Sequence, residues 1–461
     1  VPRASKKEEQ VIQFMVDFGE KLGLETMVDK VGNVIIKKSA TSGMENLKTI
    51  VMQSHLDMVH QKNNDTVFDF ETDGIDMFID GDWVKAKGTT LGADNGLGVA
   101  TIMVILESDS IEHPAIEGLF TIDEETGMTG AMGLEGGVLE GEILLNLDTE
   151  DDDEIGVGCA GGIDITAIKS YSPRSIKDKS TAYHISVKGL QGGHSGMDIY
   201  KGFGNANKLM NRILYSLNDL ISIAEIDGGG LRNAIPRESN AIITTKNPDI
   251  LHGQFNRIAK VILDEYERIE NHLKVELSEC PMPQTIVSKR DQDVLLKAIY
   301  TAHNGVYRMS PDIDDLVETS NNVARVFVKN GEISIRCLTR SSIESGKLDL
   351  ANSLKSGFEL AGFSVEFSGS YPGWKPNRDS DILKVLKKVY VALFKEEPKV
   401  LACHAGLECG ILGQNYPGMD MISFGPTIKG AHSPDERASI SSTQKYWRFV
   451  LEILKNIPVK D

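Results

Sequence analysis

Short apolar runs that end in polar, chemistry-bearing residues recur along both ends of this chain. Val11, Ile12, Met15, Val16 and Phe18 follow helical spacing and predict an amphipathic helix over 6–22. Strand-like runs over 26–28 and 33–36 meet through Gly32, and Ile50-Val51-Met52 marks a buried strand over 47–53. An Asp-, Asn- and Gly-rich excursion (61–87) precedes GTTLGADNGLGVATIMVILES, a glycine-rich loop running into an apolar helix from about Leu97 to Leu106. Strands over 116–121 and 142–147 follow, with a short helix over 128–139 between them.

The pattern changes near Ser180. An alternating run at 183–187, a helix over 204–220, strands near 221–227 and 238–246, a helix over 248–270 and a strand over 274–279 form a β-α-β-β-α-β order. That order is the split, ferredoxin-like arrangement. Residues 291–369 read as a second, degenerate copy. A helix over 380–394, strands over 398–402 and 421–424 and an amphipathic helix over 441–457 then return to the pattern of residues 1–179. The expected organisation is an α/β domain, 1–179 and 380–461, interrupted by an α+β domain over 180–379.

The strand ends carry the candidate chemistry. His55 and Asp57 follow the 47–53 strand, and residues i and i+2 of an extended segment share a face. Alone, His-x-Asp is a weak signal, more often an ordinary surface pair than a metal ligand with its orienting partner. Asp94 sits in the glycine-rich loop at a helix start, where the positive helix end favours a carboxylate, although a plain N-cap aspartate fits equally well. Asp123-Glu124-Glu125 follows the 116–121 strand, and three adjacent acids call for a cation to neutralise them. Asp148 ends a buried strand, whereas TEDDDE (149–154) reads as a solvated acidic loop. His432 follows the 421–424 strand. In open α/β sheets, ligands bind beyond the carboxyl ends of strands. Two imidazoles and three carboxylates suit zinc, manganese or cobalt, and two such ions can share one carboxylate. A further acid is then needed as general base, and neighbours such as Glu124 and Glu125 point in different directions.

Composition narrows the partners. The 461 residues suffice for two or three domains, and 41% hydrophobic with 25% charged content is a soluble globular profile. No run of 18 apolar residues indicates a membrane span, and the charged VPRASKKEEQ start lacks a signal-peptide core. With no initiator Met, a short leader is expected ahead of Val1. A net charge of -18 argues against nucleic acid. Five scattered cysteines, with no CxxC and no disulfide framework, fit a reducing cytoplasm.

In this order, QSHLDMV, GTTLGADNGLGVA, TIDEETGMTGA, LLNLDTE, GLQGGHSG and GPTIKGAHSPDE closely resemble the aminoacyl-histidine (Xaa-His) dipeptidases. Those belong to the di-zinc metallopeptidases, with carnosinases, aminoacylases and glutamate carboxypeptidases. The resemblance spans essentially the whole chain. It implies a catalytic domain with a mixed sheet flanked by helices and an inserted, ferredoxin-like lid. It further implies that His55 and Asp148 bind one divalent ion, that Glu125 and His432 bind another, and that Asp94 bridges both through a strained Asp94-Asn95 peptide. Asp57 would orient His55, and Glu124 would move a proton from a bridging water to the leaving amine. His194, in GGHSG, matches the lid histidine that stabilises the tetrahedral oxyanion, a role that in many relatives the partner subunit fills; a tight turn is the plain alternative. Asn233, in RNAIP, matches a substrate-contacting asparagine. The arginine that relatives place about thirteen residues later is replaced here near Lys246. Arg340 is the substitute candidate for gripping a substrate carboxylate, against its reading as a surface arginine. His404 and Glu408 would meet the substrate's amino end, with a buried structural histidine as the alternative for His404. The implied activity is hydrolysis of small dipeptides, Xaa-His and β-alanyl-histidine included. A broader dipeptidase, tripeptidase or acyl-amino-acid hydrolase stands as the alternative, and a non-catalytic metal-binding protein as a different class. The lid would be either a homodimer surface or an internal substitute for a partner's lid.

Overall fold

The computed structural model describes residues 1–176, 179–377 and 379–460. Contacts divide the chain into two compact units. The first contains Val1–Gly158, Trp374–Ala402 and the chain from Leu407 onward; the second contains Cys159–Gly373 and Cys403–Gly406.

The first unit is built on an eight-stranded sheet in the order Glu25–Val28, Val34–Lys38, Ile116–Thr121, Ile50–His55, Ile143–Asn146, Asp420–Ser423, Glu154–Cys159, Lys399–Cys403. Ile50–His55 lies parallel to both Ile116–Thr121 and Ile143–Asn146, and Asp420–Ser423 is parallel to Ile143–Asn146. These central strands are buried along their whole length apart from the half-exposed Asp420, which explains why they read as continuous apolar runs instead of alternating ones. Parallel alignment brings the loops after all four strands to one edge of the sheet. The helix predicted from about Leu97 is preceded by an irregular turn from Ala93 in which Asp94 and Asn95 have non-helical φ/ψ, so Asp94 stands at a kink ahead of the regular helix. The helix expected over 128–139 is only Thr129–Gly133. The acidic run is not a free loop: Asp151, Asp152 and Asp153 pair with Lys429, Lys445 and Lys399 at 2.6, 2.7 and 2.7 Å.

The second unit carries a nine-stranded antiparallel sheet. Its first copy of the split motif is Thr181–Lys188, Ala206–Ser216, Ile221–Gly229, Ser239–Thr245, Pro248–Tyr266 and Lys274–Glu279, in the spatial strand order fourth, first, third, second. The other copy has the mirrored order, and its first strand is Gly161–Ser170. That strand pairs with Glu332–Ser341 on one side and Ser364–Tyr371 on the other. The first copy is thus inserted within the second, after its opening strand. This places the unit's start at Cys159, ahead of the boundary at 180 expected from the sequence pattern, and its end at Gly373. The two copies join through antiparallel pairing of Ile226–Gly229 with Arg325–Val328, and one apolar core runs beneath both.

Candidate metal centre and donor cluster

Five of the residues singled out as metal ligands meet in the first unit. His55 ends its strand, Glu125 and Asp148 lie in the loops after the two flanking strands, and His432 follows Ile428–Lys429 at the same sheet edge. Asp94 stands among them. Its Oδ1 is 3.1 Å from His55 Nε2 and its Oδ2 is 3.2 Å from His432 Nε2, so each carboxylate oxygen faces one imidazole. His55 Nε2 is also 3.5 Å from Asp148 Oδ1, and His432 Nε2 is 2.9 Å from Glu125 Oε2. Two three-residue groups result, His55–Asp94–Asp148 and Asp94–Glu125–His432, each with ligand atoms within 4.8 Å of one another. His55, Glu124 and Glu125 form a third. The Asp94–Asn95 peptide is cis, and Asn95 Nδ2 donates to Asp148.

The electrostatics describe a donor set with too much negative charge for its surroundings. Burial pushes Asp148 up to about 6, helped by Asp94 and Glu125. Hydrogen bonds to Asp94 and Glu125 raise His432 to about 11. Burial opposes a charge on His55, yet Asp148, Asp57 and Asp94 hold its imidazole well above the ordinary range. Glu125 Oε1 is buried without a hydrogen-bond partner. Buried carboxylates need a compensating cation, and two imidazoles with three carboxylates are a donor set that divalent zinc, manganese or cobalt fits.

Asp57 is fully buried and does more than the sequence suggests. His55 Nδ1 lies 3.1 Å from its backbone carbonyl and 3.3 Å from its Oδ1. Its carboxylate also accepts from Ser5 Oγ (2.8 Å) and from the backbone N–H groups of Glu124 (3.0 Å) and Glu125 (3.2 Å). One aspartate therefore sets both the first imidazole and the acid pair. Burial raises the Glu124 carboxyl well above the ordinary range; Asp148, Glu408 and Glu125 add to the effect and His55 opposes it. A carboxylate with raised proton affinity is suited to general-base work.

Glu408 lies in the same unit and is buried. Its Oε2 accepts from Gln53 Nε2 (2.6 Å) and Thr121 Oγ1 (2.7 Å), its Oε1 has no partner, and burial lifts it to about 8. Neither Gln53 nor Thr121 stands out in the sequence. Their signal is position alone, one on the His55 strand and the other opposite His55 on the next strand.

The second unit gathers His194, Arg340 and His404. Gly193 (φ 127°) lets the GGHSG turn close against Asp198, whose Oδ2 accepts from His194 N at 2.7 Å. The turn is therefore real, and it also aims an imidazole. His194 Nδ1 accepts from Gly196 N (3.2 Å) and Met197 N (3.0 Å). With Nδ1 accepting, the proton of the neutral ring sits on Nε2. Burial and the neighbouring Arg340 lower this histidine to about 4, so the neutral form prevails at pH 7.

Arg340 is no surface arginine: it is 4% exposed. Its Nη1 donates to Tyr371 Oη (2.7 Å), its Nε lies 3.4 Å from Ser195 Oγ, and its Nη2 is 3.4 Å from His194 Nε2. No carboxylate forms an ion pair with it among the described residues. An imidazole N–H and a guanidinium facing each other are two donors without an acceptor, an arrangement complementary to an oxyanion or carboxylate.

His404 belongs to this group instead of accompanying Glu408. Its Nε2 is 2.8 Å from Ser320 Oγ, and burial, Arg340 and His194 lower it to about 3. An arginine beside it repels an ammonium, so the amino-end expectation is kept for Glu408 alone. Asn233 is exposed, and its backbone carbonyl accepts from Ser195 N at 2.8 Å, next to the His194 turn. Lys246 is exposed just after the Ser239–Thr245 strand.

Residues 51–456 match the model of peptidase family M20/M25/M40. The cytosol non-specific dipeptidase of Escherichia coli (strain K12) is 42% identical over 464 residues, covering 100% of this chain and 96% of that protein. The structure of aminoacylhistidine dipeptidase from Vibrio alginolyticus superposes with a TM-score of 0.95 at 44% identity, over 100% of this chain and 95% of that one. The aminopeptidase PepT of Bacillus cereus ATCC 10987 shares the fold, with a TM-score of 0.62 at 18% identity over 99% and 95% of the two chains. The resemblance read from the motifs thus holds over the full length. An acid-rich strand-edge cluster, an inserted duplicated domain and these likenesses agree on one assignment: the chain is a hydrolase of the M20/M25/M40 peptidase family.

Proposed function

We propose that this protein is a dipeptidase that uses two divalent metal ions, zinc first among them, to hydrolyse small dipeptides with a free amino terminus. The observation that carries the reading is Asp94, with one carboxylate oxygen toward His55 and the other toward His432. His55 and Asp148 would hold one ion, Glu125 and His432 the other, and Asp94 would serve both. Such ions would supply Lewis-acid polarisation of a carbonyl and a more acidic water. Glu124 takes the proton of the attacking water and returns it to the leaving amine. Asp57 fixes the orientation of His55 and of the Glu124 backbone. His194 donates its Nε2–H to the developing oxyanion, Arg340 holds the substrate carboxylate, and Asn233 contacts the substrate beside the His194 turn. Glu408, lifted to about 8 by burial when no cation faces it, takes its charged form beside the substrate's ammonium, since an adjacent positive charge favours the carboxylate. The names of the Escherichia coli and Vibrio relatives support a dipeptidase, and that of the Escherichia coli relative supports a cytoplasmic one.

Xaa-His dipeptides, β-alanyl-histidine included, belong to the substrate range. A broader dipeptide range is the second reading, favoured by the name of the Escherichia coli relative. A panel of free dipeptides, N-acetyl dipeptides and tripeptides assayed with zinc, manganese and cobalt separates these. Free dipeptides should be cleaved and their N-acetyl forms should not. Equal cleavage of N-acetyl forms would turn the reading toward an acyl-amino-acid hydrolase.

A further inference from the structure

Asp94 can face two imidazoles only if its backbone is held still, and the structure shows what holds it. Glu436 lies four residues after His432 and is 2% exposed. Its Oε2 accepts from the backbone N–H groups of Leu91 (2.7 Å) and Gly92 (2.9 Å); its Oε1 accepts from those of Ala93 (2.8 Å) and Asp94 (3.2 Å). Four consecutive amides, those of Leu91 to Asp94, thus converge on one carboxylate. The backbone at Asp94 and Asn95 is non-helical, so the carboxylate holds an irregular turn whose buried N–H groups need an acceptor.

Arg3 grips the same turn from its carbonyl side. Its Nη1 donates to the carbonyls of Leu56 and Asp57, both at 2.9 Å, and its Nη2 to that of Gly92. A Cβ on Gly92 or Gly96 would stand 2.6 or 2.8 Å from Nη2. Two glycines of GTTLGADNGLG therefore make room for a guanidinium. Arg3 ties the loop of His55 and Asp57 to the loop of Asp94, while the segment of His432 holds Asp94 twice, by imidazole and through Glu436.

We propose that Glu436 and Arg3 are positioning residues that clamp the Asp94 turn from its amide and carbonyl sides and so set the geometry of the bridging carboxylate. The proposal rests on the two-metal reading above and deepens it. It predicts that removing either clamp weakens metal binding before it unfolds the chain. In Glu436→Gln the carboxamide keeps one acceptor oxygen and turns N–H donors toward two backbone N–H groups.

The test compares the parent, Glu436→Gln and Arg3→Met by zinc competition with a chromophoric chelator, alongside kcat and KM on a free dipeptide and thermal unfolding of the metal-free proteins. Glu436→Gln should bind zinc about 10–100-fold more weakly, the range for groups that support metal ligands. Its kcat should fall with KM nearly unchanged, and excess zinc should restore part of the rate. Arg3→Met should move in the same direction. Should Glu436→Gln fail to fold, Arg3→Met and the milder Arg3→Lys carry the comparison. Variants that hold zinc as tightly as the parent overturn the clamp and leave the two-metal reading standing. A parent that binds no zinc, manganese or cobalt overturns both.

Discussion

Glu124→Gln should keep its metal and turn over a dipeptide about 10²–10⁴ times more slowly, the range for loss of a general base. That corresponds to about 2.7–5.5 kcal/mol of transition-state stabilisation. The expectation follows from where Glu124 lies. It is outside the two three-residue groups that share Asp94, yet next to Glu125, and Asp57 holds its backbone N–H. Burial raises its proton affinity, with Asp148, Glu408 and Glu125 adding to it, which favours a carboxylate that takes up a proton and gives it back. Glutamine keeps the size and removes the basic oxygen. Single-turnover rates with metal content measured on the same sample decide it: full rate in the variant would remove Glu124 from proton transfer, and loss of metal would make it a ligand.

His194→Ala should lower kcat by about 10²–10³, the range for loss of one oxyanion donor, with metal content and KM near those of the parent. The physical ground is the tautomer. Two backbone amides donate to Nδ1, which leaves the proton on Nε2, and Arg340 lies 3.4 Å from that atom. Since burial and Arg340 keep the ring neutral, the contribution is a hydrogen bond in place of an ion pair. It should therefore persist unchanged from pH 6 to 8. Metal assay and steady-state kinetics across that range test it; an unaltered kcat would leave His194 as a turn residue.

His55, Glu125 and Asp148, three of the proposed metal ligands, are legible in the sequence because each lies at or just beyond the end of a buried strand. Strand ends are read locally, from apolar runs that stop at His55, at the acids after Thr121, and at Asp148, and parallel pairing carries them to one edge. Groups set by long-range pairing are not legible. Gly161–Ser170 falls within the residues 1–179 that the sequence pattern gives to the first domain, yet it completes the second copy of the lid motif more than 150 residues onward, through pairing with Glu332–Ser341. No periodicity encodes that choice. His404 departs from its expected place for the same reason: its chain neighbours from Leu407 onward belong to the first unit, while Cys403–Gly406 belongs to the second. Glu436 has a faint signal, an acid four residues beyond a candidate ligand, but its four backbone partners lie about 340 residues before it in the chain. Arg3 has none, since its partners are carbonyls and carbonyls carry no side-chain signature.

The proposed hydrolysis depends on divalent metal held by His55, Asp94, Glu125, Asp148 and His432. The most direct measurement is elemental analysis of zinc, manganese and cobalt per chain in protein purified without added metal, with dipeptidase activity followed as a chelator removes the ions and each metal is returned. Up to two ions per chain should be found, with loss of activity on their removal and recovery on their return. Full activity in protein shown to be free of metal would contradict it.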